Sequence, residues 1–247
     1  MIFTIAAKEL RSMFASPLAW VVLAFMQFVL AFIFLKQIDG FLEVQAQLAR
    51  TPNAPGLTEI AVVPMFGVAS MLLLMSVPLL TMRLVSEERR NQTMALLMSA
   101  PISMTQIIIG KFVAMFAFLA LINLLIVGMA LSLLAGGTLD LGLLIANLTG
   151  LILLGSSFAA IGLFISCLTT HPVVAAILSL AIFLALWIIN AASRDPQSSL
   201  HLISLLKRFE GFLNGTVAVT DLIFFALLTA TFLILSIRRL DSERLHA

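Results

Sequence analysis

The sequence predicts an all-α integral membrane protein with six transmembrane helices, and three observations predict it. Hydrophobic residues make up 62% of the 247 residues and charged residues 11%, with a mean hydropathy of +1.16, far outside the balance of a soluble domain. Six stretches reach membrane-crossing length, since a hydrocarbon core about 30 Å thick takes roughly 20 apolar residues of helix. Lys and Arg gather between those stretches on one side. A formal net charge of +2 on so apolar a chain carries no nucleic-acid footprint.

The six spans fall at about 18–35, 60–82, 112–135, 141–168, 173–192 and 217–237, and the whole chain, 1–247, forms one domain. With the N-terminus inside, the inner segments hold Lys8, Arg11, Arg83, Arg89, Arg90, Lys111, Arg238, Arg239 and Arg244, and the outer ones only Lys36, Arg50, Arg194, Lys207 and Arg208. That excess puts both termini in the cytoplasm. Lys8 and Arg11 ahead of an apolar run imitate a secretory signal. The run is too long and no small-residue cleavage site follows, so it is expected to stay as the first span.

Residues 1–16 form a separate unit. On a helical wheel Ile2, Phe3, Ile5, Ala6, Leu10, Met13 and Phe14 share one side, Thr4, Lys8, Arg11 and Ser12 the other, and Glu9 falls near the border, as expected for a short helix in the membrane interface. Pro17 separates it from the first span; the alternative is a plain extension of that span. Between spans 1 and 2, residues 36–59 carry "TPNAPG" and predict a flexible outer loop. "GGTLD" at 136–140 and "THP" at 170–172 predict tight turns. Before span 6, Leu202, Leu205, Leu206, Phe209 and Leu213 recur at helical spacing, which predicts an outer amphipathic helix, on the surface or re-entrant where protein shields its backbone.

Several chemistries lack their residues. The Gly-Lys pair at Gly110 and Lys111 is not preceded by the glycine, nor followed by the hydroxyl, of a phosphate-cradling loop. His171, His201 and His246 lie in three segments on two sides of the membrane, and Cys167 is alone, so neither a metal site nor an internal disulfide is expected. "GSSFAAIG" at 155–162 superficially resembles the nucleophile region of rhomboid-type intramembrane proteases, but Phe158 replaces a glycine and no span holds a His to serve Ser157. The better reading is a packing face of Gly155, Ser156, Ala159 and Gly162. The first five spans contain no ionisable residue, which disfavours an ion-coupled secondary transporter. Asn123, Asn147 and Asn190 are candidates to line a pathway, although interhelical hydrogen bonding is the commoner use of such residues.

The segment Ser86 to Lys111, "SEERRNQTMALLMSAPISMTQIIIGK", is left to explain. Pro78 kinks the end of span 2. The spacing of Glu87 with Arg90 and of Glu88 with Gln92 lets a helix leave the membrane. A short apolar helix from Thr93 to about Ser99 ends before Pro101, and Ser103 and Gln106 have capping-box spacing ahead of span 3. Met94, Leu96, Leu97 and Met98 then present an adaptable apolar knob to a cytoplasmic partner, rimmed by Glu87, Glu88, Arg89 and Arg90. A solvated hairpin is the plainer alternative.

This segment, through Phe112, resembles the region between spans 2 and 3 of type-two ABC transporter permeases: an acidic-basic cluster, Thr-[Met/Leu]-x-Leu-Leu, a Pro, then Gln-Ile-x-x-Gly-Lys. The C-terminal "FEGFLNGTVAVTDLIFFALLTATFLILSIRRLDSERL" is similar to the gliding-motility and nitrous-oxide-maturation branch of that family. The resemblance implies a bacterial inner-membrane exporter in which two permease subunits pair, as copies or paralogues. Each would rest a coupling helix on a separate ATPase subunit that binds ATP and Mg, and a periplasmic accessory protein would fit the same architecture. It implies that Glu87 and Glu88 form the acidic cluster and that Thr93 to Ala100 dock on the ATPase; Ala95 stands where the family often has Glu. The permease itself would hold no cofactor and no catalytic residue. A six-span scaffold that transmits force without moving a substrate is the alternative from another class.

Overall fold

The structure is a computed structural model that describes residues 1–48, 56–94, 102–135, 138–192 and 204–244, apart from the side chains of 46–48 and 189–192. The described residues are helical, with no strand among them. Five described helices are long and apolar enough to cross a membrane, and Pro172–Ile188 is a shorter apolar one.

Helix α1, Ile2–Ala15, ends where Ser16 turns extended, the conformation that a following proline favours. Pro17 then opens α2, Pro17–Leu48, with its fixed φ and missing donor harmless in the first turn. Phe14 and Trp20 clasp this corner: their rings meet edge-on at 5.4 Å and the Trp20 Nε1 donates to the Phe14 carbonyl at 2.9 Å. Within α1, Phe3 is exposed and Glu9, at the border of the apolar side, is buried, because α1 rests on a neighbouring helix and has acquired a partner for that carboxylate.

The predicted loop from Lys36 is corrected. Charge ends the lipid-facing run, but it does not end the helix, and α2 continues to Leu48 through a stretch in which good helix formers outnumber Asp39 and Gly40. At 1.5 Å per residue its 32 residues span about 48 Å. The "TPNAPG" turn lies, through Pro55, outside the described residues.

After a π-type turn at Thr58–Val62, α3 runs Val63–Thr81 with Pro78 inside its last turn. The helix does not continue smoothly outward as expected. It breaks at 82–85 and restarts as the single turn α4, Ser86–Arg90. One hydroxyl pins the break: Ser166 Oγ accepts the backbone N–H groups of Val85 and Ser86, both at 3.1 Å, and donates to the Met82 carbonyl at 3.2 Å. That uses the full capacity of a serine hydroxyl, one donor and two lone pairs.

Helix α5, Met104–Ser132, begins eight residues before the apolar run predicted for span 3, and Ser103 caps it by accepting from Gln106 N at 3.2 Å. Asp140 caps α6, Leu141–Leu168, and donates its own N–H to Thr58 Oγ1 at 3.0 Å. Helix α7 is Pro172–Ala192, α8 is Leu205–Leu213 and α9 is Val219–Arg244.

Helix α6 is the axis of the bundle. Of its most apolar stretch 72% is buried, against 11% for α9, and it packs on α3, α5, α7, α8 and α9. Small residues make this possible, because helices in lipid gain little from the hydrophobic effect and depend on close contact. A Cβ at Gly162 would stand 2.9 Å from Thr81 Cβ on α3, and one at Gly150 would stand 2.6 Å from Phe212 Cβ on α8. Gly155 is looser, 3.3 Å from Leu119 Cδ1, and Ala159 is buried beside it. Ser157 Oγ bonds the Leu153 carbonyl at 3.0 Å and meets Thr229 Oγ1 of α9 at 3.2 Å, which ties α9 to the axis. Helix α8 buries Leu205, Phe209 and Phe212, so its inward stripe includes Phe212, which the sequence reading omitted; Leu202 lies outside the described residues.

Gly162→Ala is expected to lower stability by about 1–3 kcal/mol through overpacking against Thr81. Gly128→Ala, where an added Cβ meets nothing within 4 Å, is expected to stay level or gain up to about 1 kcal/mol. Thermal unfolding of the two purified variants in one detergent checks the difference.

Candidate functional site

The Ser86 to Lys111 segment is built around α4. The turn exposes Glu87 and Arg90 and directs Glu88 and Arg89 inward, so the expected four-charge rim is divided into an outer and an inner pair. It ends at Gln92, which has a left-handed φ of +58°. Thr93 N donates to the Glu88 carbonyl at 3.0 Å and Gln92 N to the Arg89 carbonyl at 3.1 Å, the two bonds of a Schellman stop. The exposed Thr93 adds its hydroxyl to the Glu88 carbonyl at 3.2 Å. Helix α8 stops in the same way through Gly215 at φ +77°, with Thr216 bonding the Gly211 carbonyl by N–H and hydroxyl. Glycine takes that conformation freely, and glutamine takes it at a cost of roughly 1–2 kcal/mol.

The inward charges are paired across the fold. Lys111 of α5 is 1% exposed, and its Nζ lies 2.8 Å from Glu88 Oε1 and 3.1 Å from Glu9 Oε1 of α1. Lys8 joins the same carboxylates, at 3.1 Å to Glu9 and 3.6 Å to Glu88. Two positive and two negative groups therefore cancel where an unmatched buried charge would be very costly. Burial works against the Lys8 ammonium, but Glu9 and Glu88 outweigh it and hold its pKa above the ordinary lysine value, so the cluster keeps this positive charge throughout the physiological range. On the other flank Arg89 Nη2 meets Glu243 Oε2 of α9 at 2.6 Å, and Arg239 braces the same carboxylate at 3.1 Å. A single helical turn is thus held to α1, α5 and α9 together.

Close packing reinforces the arrangement. A Cβ at Gly110 would stand 2.8 Å from Ile5 Cβ, so α1 lies directly on α5 one residue from Lys111. Met94 is buried and does not present itself to a partner. Leu96, Leu97 and Met98 lie outside the described residues, as does Ala95. Sequence reasoning missed Glu9, Lys111, Glu243 and Lys8 as partners of this segment. The available signal was Lys111 inside "IIIGKFVAMF", where a lone ammonium in an apolar helix calls for a carboxylate from elsewhere.

The asparagines are placed separately. Asn123 of α5 and Asn147 of α6 are buried, and each donates its amide to the carbonyl four residues back, at 2.8 and 2.7 Å. Their side-chain oxygens have no hydrogen-bond partner among the described residues, and no bond joins the two. The Asn190 side chain lies outside the described residues. At the other end of the bundle Asp221, in the first turn of α9, pairs with Arg208 at 2.6 Å, and the Arg208 guanidinium lies 4.2 Å over the Phe224 ring.

The family model of the ABC-2 family transporter proteins matches residues 3–194, a range that includes α1 through α7 and the whole charged segment. No curated protein matches the chain. The chain belongs to the ABC-2 transporter family and is a multi-pass membrane permease component of an ABC transporter. Its family is generally non-catalytic and implies an ATPase partner.

Lys111→Met leaves Glu9 and Glu88 without their buried partner and is expected to cost about 3–5 kcal/mol. Adding Glu88→Gln restores part of that loss, which a double-mutant cycle of unfolding midpoints measures as a coupling between the two sites. At Gln92 a β-branched residue fits the left-handed stop worse than glutamine does, so Gln92→Val is expected to destabilise by about 1 kcal/mol while Gln92→Gly is tolerated. Thermal melts of both variants check this.

Proposed function

We propose that the chain is the membrane-spanning subunit of a bacterial ABC exporter, related to the gliding-motility and nitrous-oxide-maturation branch. It works as a dimer, with a second copy or a paralogue, in the inner membrane with both termini cytoplasmic. Helix α7 completes six spans with the five longer apolar helices, α1 lies along the cytoplasmic interface, and α8 is the outer helix before the last span. Asn123, Asn147 and Asn190 are the pathway candidates. A periplasmic accessory protein would meet the outer end.

The coupling contact to a separate ATPase subunit, which holds ATP and Mg, is residues 93–100, with Leu96, Leu97 and Met98 as the knob. The observation that carries this reading is the bracing of α4. The turn immediately before the knob is tied by ion pairs to the first, third-span and last helices, so a push delivered there reaches all three. A flexible hairpin without those pairs would absorb the same push locally. Arg90, exposed on the outer side of α4, remains for the ATPase rim; Glu88 and Arg89 serve the bracing.

Leu97→Asp is expected to weaken capture of the ATPase subunit about thirtyfold, the effect of losing a buried interface anchor, and to abolish its stimulation, while the amount of inserted permease stays unchanged. Co-purification and ATP turnover with an ATPase encoded beside this chain measure both. Stimulation that survives the substitution would sink the docking assignment.

A further inference from the structure

A cavity of about 410 Å³ lies between α1, the first turn of α2 and the break between α3 and α4, within the usual range of small-ligand sites. One part of its wall is apolar, from Leu18, Ala19, Leu80 and Leu84. The other part carries charge of both signs, from Lys8, Arg83, Glu87 and Glu88. Both faces meet at the corner where the Phe14–Trp20 pair marks the level of a membrane interface.

The polar groups are incompletely used. The Glu87 carboxylate has no hydrogen bond or ion pair among the described residues, whereas Glu88 is engaged by Lys111 and Lys8. Arg83 spends one of its five N–H donors on Ser16 Oγ at 2.9 Å and is otherwise exposed. The cavity therefore offers one spare carboxylate, that of Glu87, beside a guanidinium and an ammonium. Lys8 and Lys111 balance Glu9 and Glu88, which leaves Glu87 and Arg83, one group of each sign, to face a ligand. No aromatic ring lines the cavity, so it lacks the cage that quaternary ammonium ligands prefer.

We propose that this cavity binds the headgroup of a zwitterionic phospholipid bearing a primary ammonium, as in phosphatidylethanolamine. The phosphate sits against Arg83 and Lys8, the ammonium donates to Glu87, and the glycerol end passes Leu18 and Leu80 into the bilayer. The bound lipid ties α1 to α4 by a second bridge beside the Lys111 cluster. This inference rests on the chain's place in a membrane and not on docking to an ATPase, so its test contains no ATPase.

Delipidated chain is titrated with phosphatidylethanolamine, phosphatidylcholine and phosphatidylglycerol of identical acyl chains, and retained lipid is counted by native mass spectrometry. Phosphatidylethanolamine is expected to bind about tenfold tighter than the other two, the worth of one charged hydrogen bond. Glu87→Gln should abolish its lead over phosphatidylcholine, and Arg83→Ala should weaken both by a similar factor. Both side chains are exposed, so an unchanged melting temperature for each variant separates lost binding from lost folding. Equal retention of the three lipids, a preference for phosphatidylglycerol, or a lead that survives Glu87→Gln overturns the proposal. Free phosphoethanolamine competing at the same concentrations as the lipid would assign the site to a soluble ligand and overturn it as well.

Discussion

The ammonium of Lys111 is enclosed by protein, and the rest of the structure at this end of the bundle follows from satisfying it. One carboxylate could neutralise the charge, but two are used, from α1 and α4. That choice fixes the N-terminal helix and the broken end of α3 to the same point on α5. Lys8 then balances the second carboxylate. The geometry is costly to assemble and costlier to take apart, because removing one member leaves charge stranded in a poorly polarisable surrounding. Such a cluster favours one arrangement over many near alternatives. The segment next to it thereby starts from a defined position.

Away from that point the bundle is held by proximity. Helix α6 has glycine, serine or alanine wherever another helix must come close: Thr81 at Gly162, Phe212 at Gly150, Thr229 at Ser157. Aromatic rings fill the wider gaps, as where Phe158 stacks on Phe183 at 4.5 Å. Ser166 combines both roles, since its small size admits the α3–α4 break and its hydroxyl supplies the bonds the break would otherwise lack.

The five long apolar helices were legible because lipid demands an uninterrupted apolar length, and a run without charge is hard to arrange by chance. Ser103 and Asp140 as caps, and Pro78 near the break, act through neighbours within four residues, so local pattern was sufficient for them. The misreadings share a different cause. The inward turn of Glu9, and with it the pairing of the charged segment, depends on groups distant in the chain. Lys111 and Glu88 are 23 positions apart and Glu243 is farther still from Arg89, so no periodicity could pair them. The same charges that placed the segment on one side of the membrane were therefore assigned to its surface, although half of them face inward.

Helix α2 carries a further consequence. Its start is fixed by the corner at Ser16 and Pro17 and by Trp20, and its apolar run gives way to exposed Lys36, Asp39 and Glu43. Sliding along the membrane normal would drag an ionised group into hydrocarbon at one end, at about 2.5–3.5 kcal/mol per charge near the centre, and undo the aromatic corner at the other. Piston movement is closed to this helix. Rolling about its long axis and leaning from the normal keep both ends at their depth, and these are the displacements through which the first span can take part in a working cycle.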